Sequence, residues 1–172
     1  MNKNKYQSGV GLVEVLVALI LLAIGVLGYT ALQLRAVDAT SEALTRSQAS
    51  LILRGLTENM RANPSAQASY PAAIKSYENS VEPKPAPTCL DKPCSSADFA
   101  KYDAYLAAHA ASNIGIKIVM AECPGVNAIK RQCLFAAWDE TAINLKSTNY
   151  SNCMNDKGIY IYGARCLMME AY

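Results

Sequence analysis

The chain has 172 residues, 52% of them hydrophobic and 17% charged, which is long enough for one ordinary domain and too apolar for intrinsic disorder. Sixteen basic against fourteen acidic side chains leave +2, so the total charge marks neither a nucleic-acid binder nor a protein built for acidic substrates. Six cysteines, an even number, all lie beyond residue 88.

From Val10 to Leu34 the only charged residue is Glu14. That run of about 25 residues, rising about 1.5 Å each, can cross a hydrocarbon core of about 30 Å as a helix. Lys3 and Lys5 precede it with no acidic neighbour, and short basic flanks stay in the cytoplasm, so residues 35–172 are expected outside. The chain then reads as a single-pass inner-membrane protein with a periplasmic head, and its cysteines meet an oxidising compartment. The apolar run continues through Thr30, Ala31, Leu32, Gln33 and Leu34 without the small-residue cleavage site of an ordinary secretory signal. A cut ahead of the run fits better, because a short basic leader ends in Ser8-Gly9.

Gly9 followed by Val10-Gly11-Leu12-Val13-Glu14 resembles the class III signal of type IV pilins and type II secretion pseudopilins. In that family a membrane aspartic protease, the prepilin peptidase, cuts after glycine, the new first residue is N-methylated, and the fifth new residue is glutamate. The resemblance therefore implies cleavage between Gly9 and Val10, N-methylation of Val10, and an assembly role for Glu14. Val10 stands where the family usually has phenylalanine and Gly11 where it has threonine or serine. A carboxylate in lipid costs about 2.5–3.5 kcal/mol on insertion scales, so Glu14 needs a cation or a protein-lined site. The amine freed on Val10 supplies that cation, on the same chain or a neighbour, and turns the pair into a registry device. The other reading places Glu14 at the headgroup level, snorkelling.

The helical pattern outlasts the membrane. No proline precedes Pro64. Val37, Leu44 and Leu51 repeat every seven residues, and Ala49, Leu53, Leu56 and Met60 form a second apolar ridge. Arg35, Asp38, Glu42, Arg46, Arg54, Glu58 and Arg61 make the mixed-sign remainder. Asn63-Pro64 is a stop signal, so one helix of about 50 residues is predicted, near 75 Å long. Gly25 and Gly28 weaken it by about 1 kcal/mol each, serving either close helix approach or local unwinding.

Residues 65–80 are polar with tyrosines, and Pro83, Pro85, Pro87 and Pro93 crowd the stretch that follows, which predicts an irregular connection. Ser95 with Asp98 three residues on resembles a capping box, opening a helix through Phe99, Tyr102, Leu106 and Ala110. Ile114, Ile116, Ile118 and Met120 then alternate, Pro124-Gly125 marks a turn, and Leu134 to Trp138 forms a second strand. Gly158 to Glu170 is read as another strand, with Ile159 and Ile161 on one face and Tyr160 and Tyr162 on the other. Of the pairings six cysteines allow, sequence neighbours suit the local loops best: Cys89 with Cys94, Cys123 with Cys133, Cys153 with Cys166. No zinc spacing is present and His109 is the only histidine.

Glu14 to Leu19, Asn59-Met60-Arg61-Ala62-Asn63-Pro64, Cys94-Ser95-Ser96-Ala97-Asp98 with Tyr102-Asp103, and Trp138 after an apolar strand together resemble the PilV-type minor pilins. The resemblance implies an α+β pilin fold, a long spine helix packed on a small antiparallel sheet. In domain terms residues 1–9 are the leader, 10–34 the transmembrane half of the spine, 35–63 its amphipathic half and 64–172 the head. It further implies a low-abundance subunit that helps start pilus assembly near the tip. The filament would support twitching motility, adhesion and DNA uptake in a Gram-negative bacterium. Partners would be major and other minor pilins, the prepilin peptidase and the inner-membrane assembly platform.

Catalysis finds little support. A lone His109 in an alanine-rich helix makes no Ser-His-Asp site, and Asp139-Glu140, read on a strand, point to opposite faces. No cofactor or metal motif is present in the sequence. From Pro64 onward ten basic and ten acidic residues cancel, and Lys130-Arg131 is the only adjacent basic pair there, which argues against nucleic-acid binding. Two rival readings stay open, a minor pseudopilin of a type II secretion system and a tip adhesin or DNA receptor.

Overall fold

The computed structural model describes residues 11–80, 82–85, 88–125 and 130–172. Lys3, Lys5, Gly9 and Val10 lie outside the described residues, as does Pro87. The chain divides between Ala43 and Leu44 into two units. Helix α1 (Leu12–Ala62) runs through both. It opens where the Gly11 carbonyl accepts the Glu14 N–H at 2.9 Å, and it continues through Gly25 and Gly28 unbroken. It stops because Asn63, with φ −121° and ψ 60°, precedes Pro64, whose ring disfavours the α region one residue earlier.

In the first unit every described residue is exposed except Glu42, which is half-buried. The second unit buries the ridge Ala49, Leu53, Leu56 and Met60, while Leu44 and Leu51 stay exposed. Of the two ridges in the sequence, one is used by this chain.

The proline-rich stretch read as an irregular connection carries no helix or strand among its described residues, whereas the polar segment before it is helical. Pro64–Ser69 forms a 3₁₀ turn and α2 (Tyr70–Lys75) follows, burying Tyr70, Ala73 and Ile74. Pro64 and Pro71 each sit at the start of their turn, where the missing N–H costs nothing. α3 (Ser96–Ser112) starts at the expected cap, with Ser95 Oγ accepting the Asp98 N–H at 3.2 Å. Its buried stripe is Ala100, Asp103, Ala104 and Ala111. Phe99 and Leu106 are exposed, so the apolar stripe read from the sequence lies beside the one that is packed. Small side chains let α3 come close to α2, the 3₁₀ turn and the sheet.

Three antiparallel strands follow in the order β1 (Ile116–Glu122), β2 (Gln132–Trp138), β3 (Cys166–Glu170). Val119 faces Phe135, which faces Met168. Ile116, Ile118, Met120, Leu134, Ala136 and Trp138 pack on the helices. The opposite face, Val119, Ala121, Cys133, Phe135, Ala137 and Cys166, is covered by Leu145, Cys153 and Met154. Burial on both sides explains why β2 reads as a continuous apolar run.

Two strand expectations are corrected. Ile114 sits in a turn before β1, not in it. The strand expected over Gly158–Glu170 is confined to β3, because, among the described residues, 159–162 have no strand opposite them beyond a single Met154–Tyr160 bridge. That loop instead lays the Tyr160 hydroxyl on the outer edge of β3, where it accepts the Met168 N–H at 3.0 Å. α4 (Asp139–Asn144) turns directly out of β2, with Asp139 at φ 51°, a conformation an aspartate tolerates better than most residues. Disulfides join Cys89–Cys94, Cys123–Cys133 and Cys153–Cys166.

Candidate functional site

Two places carry chemistry that the core does not need. The first is the N-terminal part of α1. Glu14 lies in its first turn, where backbone N–H groups favour a carboxylate. Around it Leu12, Val13, Leu16, Val17, Leu19, Ile20, Leu21 and Leu22 are all exposed. The helix is long and apolar enough to cross a membrane, and none of its most apolar stretch is buried by the chain itself. So large an apolar surface is stable only when lipid or other helices cover it.

The second is a polar cluster where α1, α2 and α3 meet. Asn59 and Asn63 are four residues apart and share a helix face. Asn59 Nδ2 donates to Asp103 Oδ1 at 3.1 Å, and the Tyr70 hydroxyl donates to Asp103 Oδ2 at 2.7 Å. Asn63 Nδ2 donates to the Ser96 carbonyl at 2.8 Å and, at 3.4 Å, to the Tyr70 hydroxyl. Asp103 is 3% exposed and Tyr70 fully buried. Burial raises the Asp103 carboxyl above its ordinary range, against the opposing pull of the Tyr70 and Asn59 hydrogen bonds. Tyr70 is pushed up strongly, by burial first and by its bond to Asp103 second. The cluster ties three helices by directional bonds, of which Tyr70–Asp103 is buried, and low surrounding polarity strengthens that one most.

Beside it the cap of α3 is doubly held. Ser95 Oγ also donates to Asp98 Oδ2 at 2.7 Å, and Lys101 Nζ pairs with Asp98 Oδ1 at 3.1 Å. These groups, Ser95 first, hold the Asp98 carboxyl below its usual range.

A family model described as Prokaryotic N-terminal methylation motif matches residues 4–30. A second, Tt1218-like, described as Type IV pilin Tt1218, takes over at residue 31 and runs to 105. The two adjoin within α1, and the second ends just past Asp103. Together the two match residues 4–105 and support a type IV pilin with a class III signal. No curated protein and no solved structure matches the chain significantly.

A type IV pilin with a methylation motif is a structural subunit, processed by the prepilin peptidase and assembled with other pilins. Membrane anchoring and entry into a pilus fit the exposed helix of this pilin. The remaining sequence candidates fall on its surface. His109 is exposed on α3, its ring 5.6 Å from that of Tyr105. Asp139 and Glu140 open α4 rather than ending a strand, which corrects the two-faced placement expected of them, and Asp139 pairs with Arg165. Lys130 pairs with Glu122 at 3.3 Å and Arg131 with Glu170 at 3.1 Å, so the one adjacent basic pair of the head is matched by its own carboxylates. Among the described residues no group of three or more His, Cys, Asp or Glu could hold a metal ion.

Sequence reasoning named Asn59, Asn63 and Asp103 only as parts of motifs and missed Tyr70 altogether. The i, i+4 spacing of the two asparagines at a helix end was the available signal. The meeting of Asn59 with an aspartate 44 positions later was not encoded locally.

Proposed function

We propose that this pilin is a minor subunit that helps initiate and assemble type IV pili near the tip. It is cut after Gly9, methylated on Val10, and held by a single inner-membrane span with its head in the periplasm until the assembly platform passes it into the pilus. The observation that carries the reading is Glu14, the one charge in the exposed apolar run from Leu12 to Leu34. A carboxylate there needs a cation, and proteolysis creates one at the new terminus of Val10. In a staggered bundle of such helices the Glu14–amine pair sets the axial register. The motif residues Asn59, Asn63 and Asp103, which join in the polar cluster, support the PilV-type assignment, and with it roles in twitching motility, adhesion and DNA uptake.

The test is Glu14→Leu, a change that removes the charge and keeps helix and hydrophobicity. The variant inserts in the membrane, yet it no longer co-purifies with other pilins and piliation falls. Wild-type piliation with Glu14→Leu would remove the registry mechanism. Intact pili with lost secretion in a deletion strain would move the subunit to the secretion pseudopilins.

A further inference from the structure

The polar cluster does more than tie helices together, because it floors a pocket. Asn59, Ala62, Asn63, Ser96, Phe99 and Asp103 enclose about 280 Å³ between the end of α1 and the start of α3. That is just under the usual range of small-molecule sites, about 300–1,000 Å³, and it suits the head of one side chain. At its floor the buried Asp103 accepts from Asn59 at one oxygen and Tyr70 at the other. Both donors are neutral. The basic residues nearest in sequence are engaged elsewhere, Lys101 with Asp98 and Arg61 with Glu58. No ion pair reaches Asp103 among the described residues. A buried carboxylate served only by neutral donors lacks the positive partner that offsets its desolvation.

The pocket wall narrows the identity of that partner. A divalent ion takes six or more oxygens or a set of several ligands, and one carboxylate is all the acid this pocket offers. Phe99, 45% exposed, presents an aromatic side chain to it. A guanidinium is planar, weakly hydrated and stacks on aromatic rings while donating to carboxylates, whereas an ammonium is a compact, strongly hydrated charge. We propose that this pocket is a docking site for an arginine side chain of a neighbouring pilin subunit, paired with Asp103 and stacked on Phe99. That the arginine comes from a neighbouring subunit rests on the assembly role proposed above. The pocket chemistry is independent of it.

The full-length protein in detergent micelles is titrated with N-acetyl-arginine methylamide, followed by calorimetry and by NMR of the Phe99 ring. Saturable binding is expected, at least tenfold weaker for the citrulline analogue, which keeps the shape and loses the charge. Asp103→Asn and Ala62→Met, the latter filling the pocket while sparing the polar cluster, should each weaken binding at least tenfold, with thermal melts showing that both remain folded. If Asp103→Asn fails to fold, Ala62→Met decides. Absent wild-type binding, equal binding of citrulline, or unchanged binding by Ala62→Met overturns the pocket while leaving the assembly role standing. In piliated cells a photo-crosslinking benzoylphenylalanine in place of Phe99 should link to another pilin. Probe binding without such a crosslink overturns the neighbouring-subunit assignment alone.

Discussion

Asp103 shows how one buried acid shapes the head. Its two oxygens face Asn59 and Tyr70, the Tyr70 bond being buried, so removing the hydroxyl leaves a buried acceptor without its donor. Tyr70→Phe keeps the ring and loses the hydroxyl, and should cost about 1–3 kcal/mol near neutral pH, read from chemical denaturation of the full-length protein in micelles. The pH dependence has a definite sign. Burial lifts the folded pKa of Asp103 above the unfolded value, so over the window from the ordinary carboxylate range up to that raised value the folded chain holds a proton the unfolded chain has released. Wild-type stability therefore declines as pH climbs through the window, and is recovered on acidification. The Tyr70→Phe deficit should shrink on acidification too, because the bond it removes acts on the ionised carboxylate. A deficit that grows as pH falls would contradict the ionised state of the cluster. In the proposed assembly the same logic works at Glu14 in lipid, with the cation supplied by proteolysis.

Elements in this head depend on their staples unequally. Cys89–Cys94 closes a separation of 5 at half-buried positions before α3, whereas Cys153–Cys166 closes 13, ties a covering loop to β3, and both its cysteines are buried. Loop-closure entropy alone favours the longer bridge by about 0.8 kcal/mol, and the buried sulfurs add packing in the cluster around Phe135 and Met154 that the half-buried pair lacks. Replacing Cys153 and Cys166 by alanine should lower the melting temperature more than replacing Cys89 and Cys94, as measured by circular dichroism. Equal losses would mean that the loop from Leu145 to Cys166 is held by packing alone. The Phe135–Tyr150 stack, with centroids 4.7 Å apart, also fastens this loop. Without a loop on that face, Val119, Phe135 and Ala137 would lie open to water.

For the whole molecule, the first unit is a helix whose apolar surface the chain does not cover, and the second a head with its own core. The two need different surroundings, and the proposed cut ahead of Val10 would let one chain serve both membrane and filament. Gly9→Leu should block that cut, so that mass spectrometry of membrane extracts finds the leader retained. A normally shortened chain would show that Gly9 is not the cleavage site. The long apolar run, the helix stop at Asn63-Pro64, the cap at Ser95 and the first two strands were legible in the sequence, because each is set by chemistry among near neighbours: hydropathy, proline sterics, a serine three residues from an amide, alternation across a pleat. The packed stripe of α3, the short extent of β3, the helical turns after Pro64 and the meeting of Asn59, Tyr70 and Asp103 were settled only by the tertiary structure. Burial depends on what arrives from the other side: alanines go inside where helices approach closely, and Ile159 to Tyr162, strand-like by themselves, make a single bridge and no ladder because no strand among the described residues lies against them.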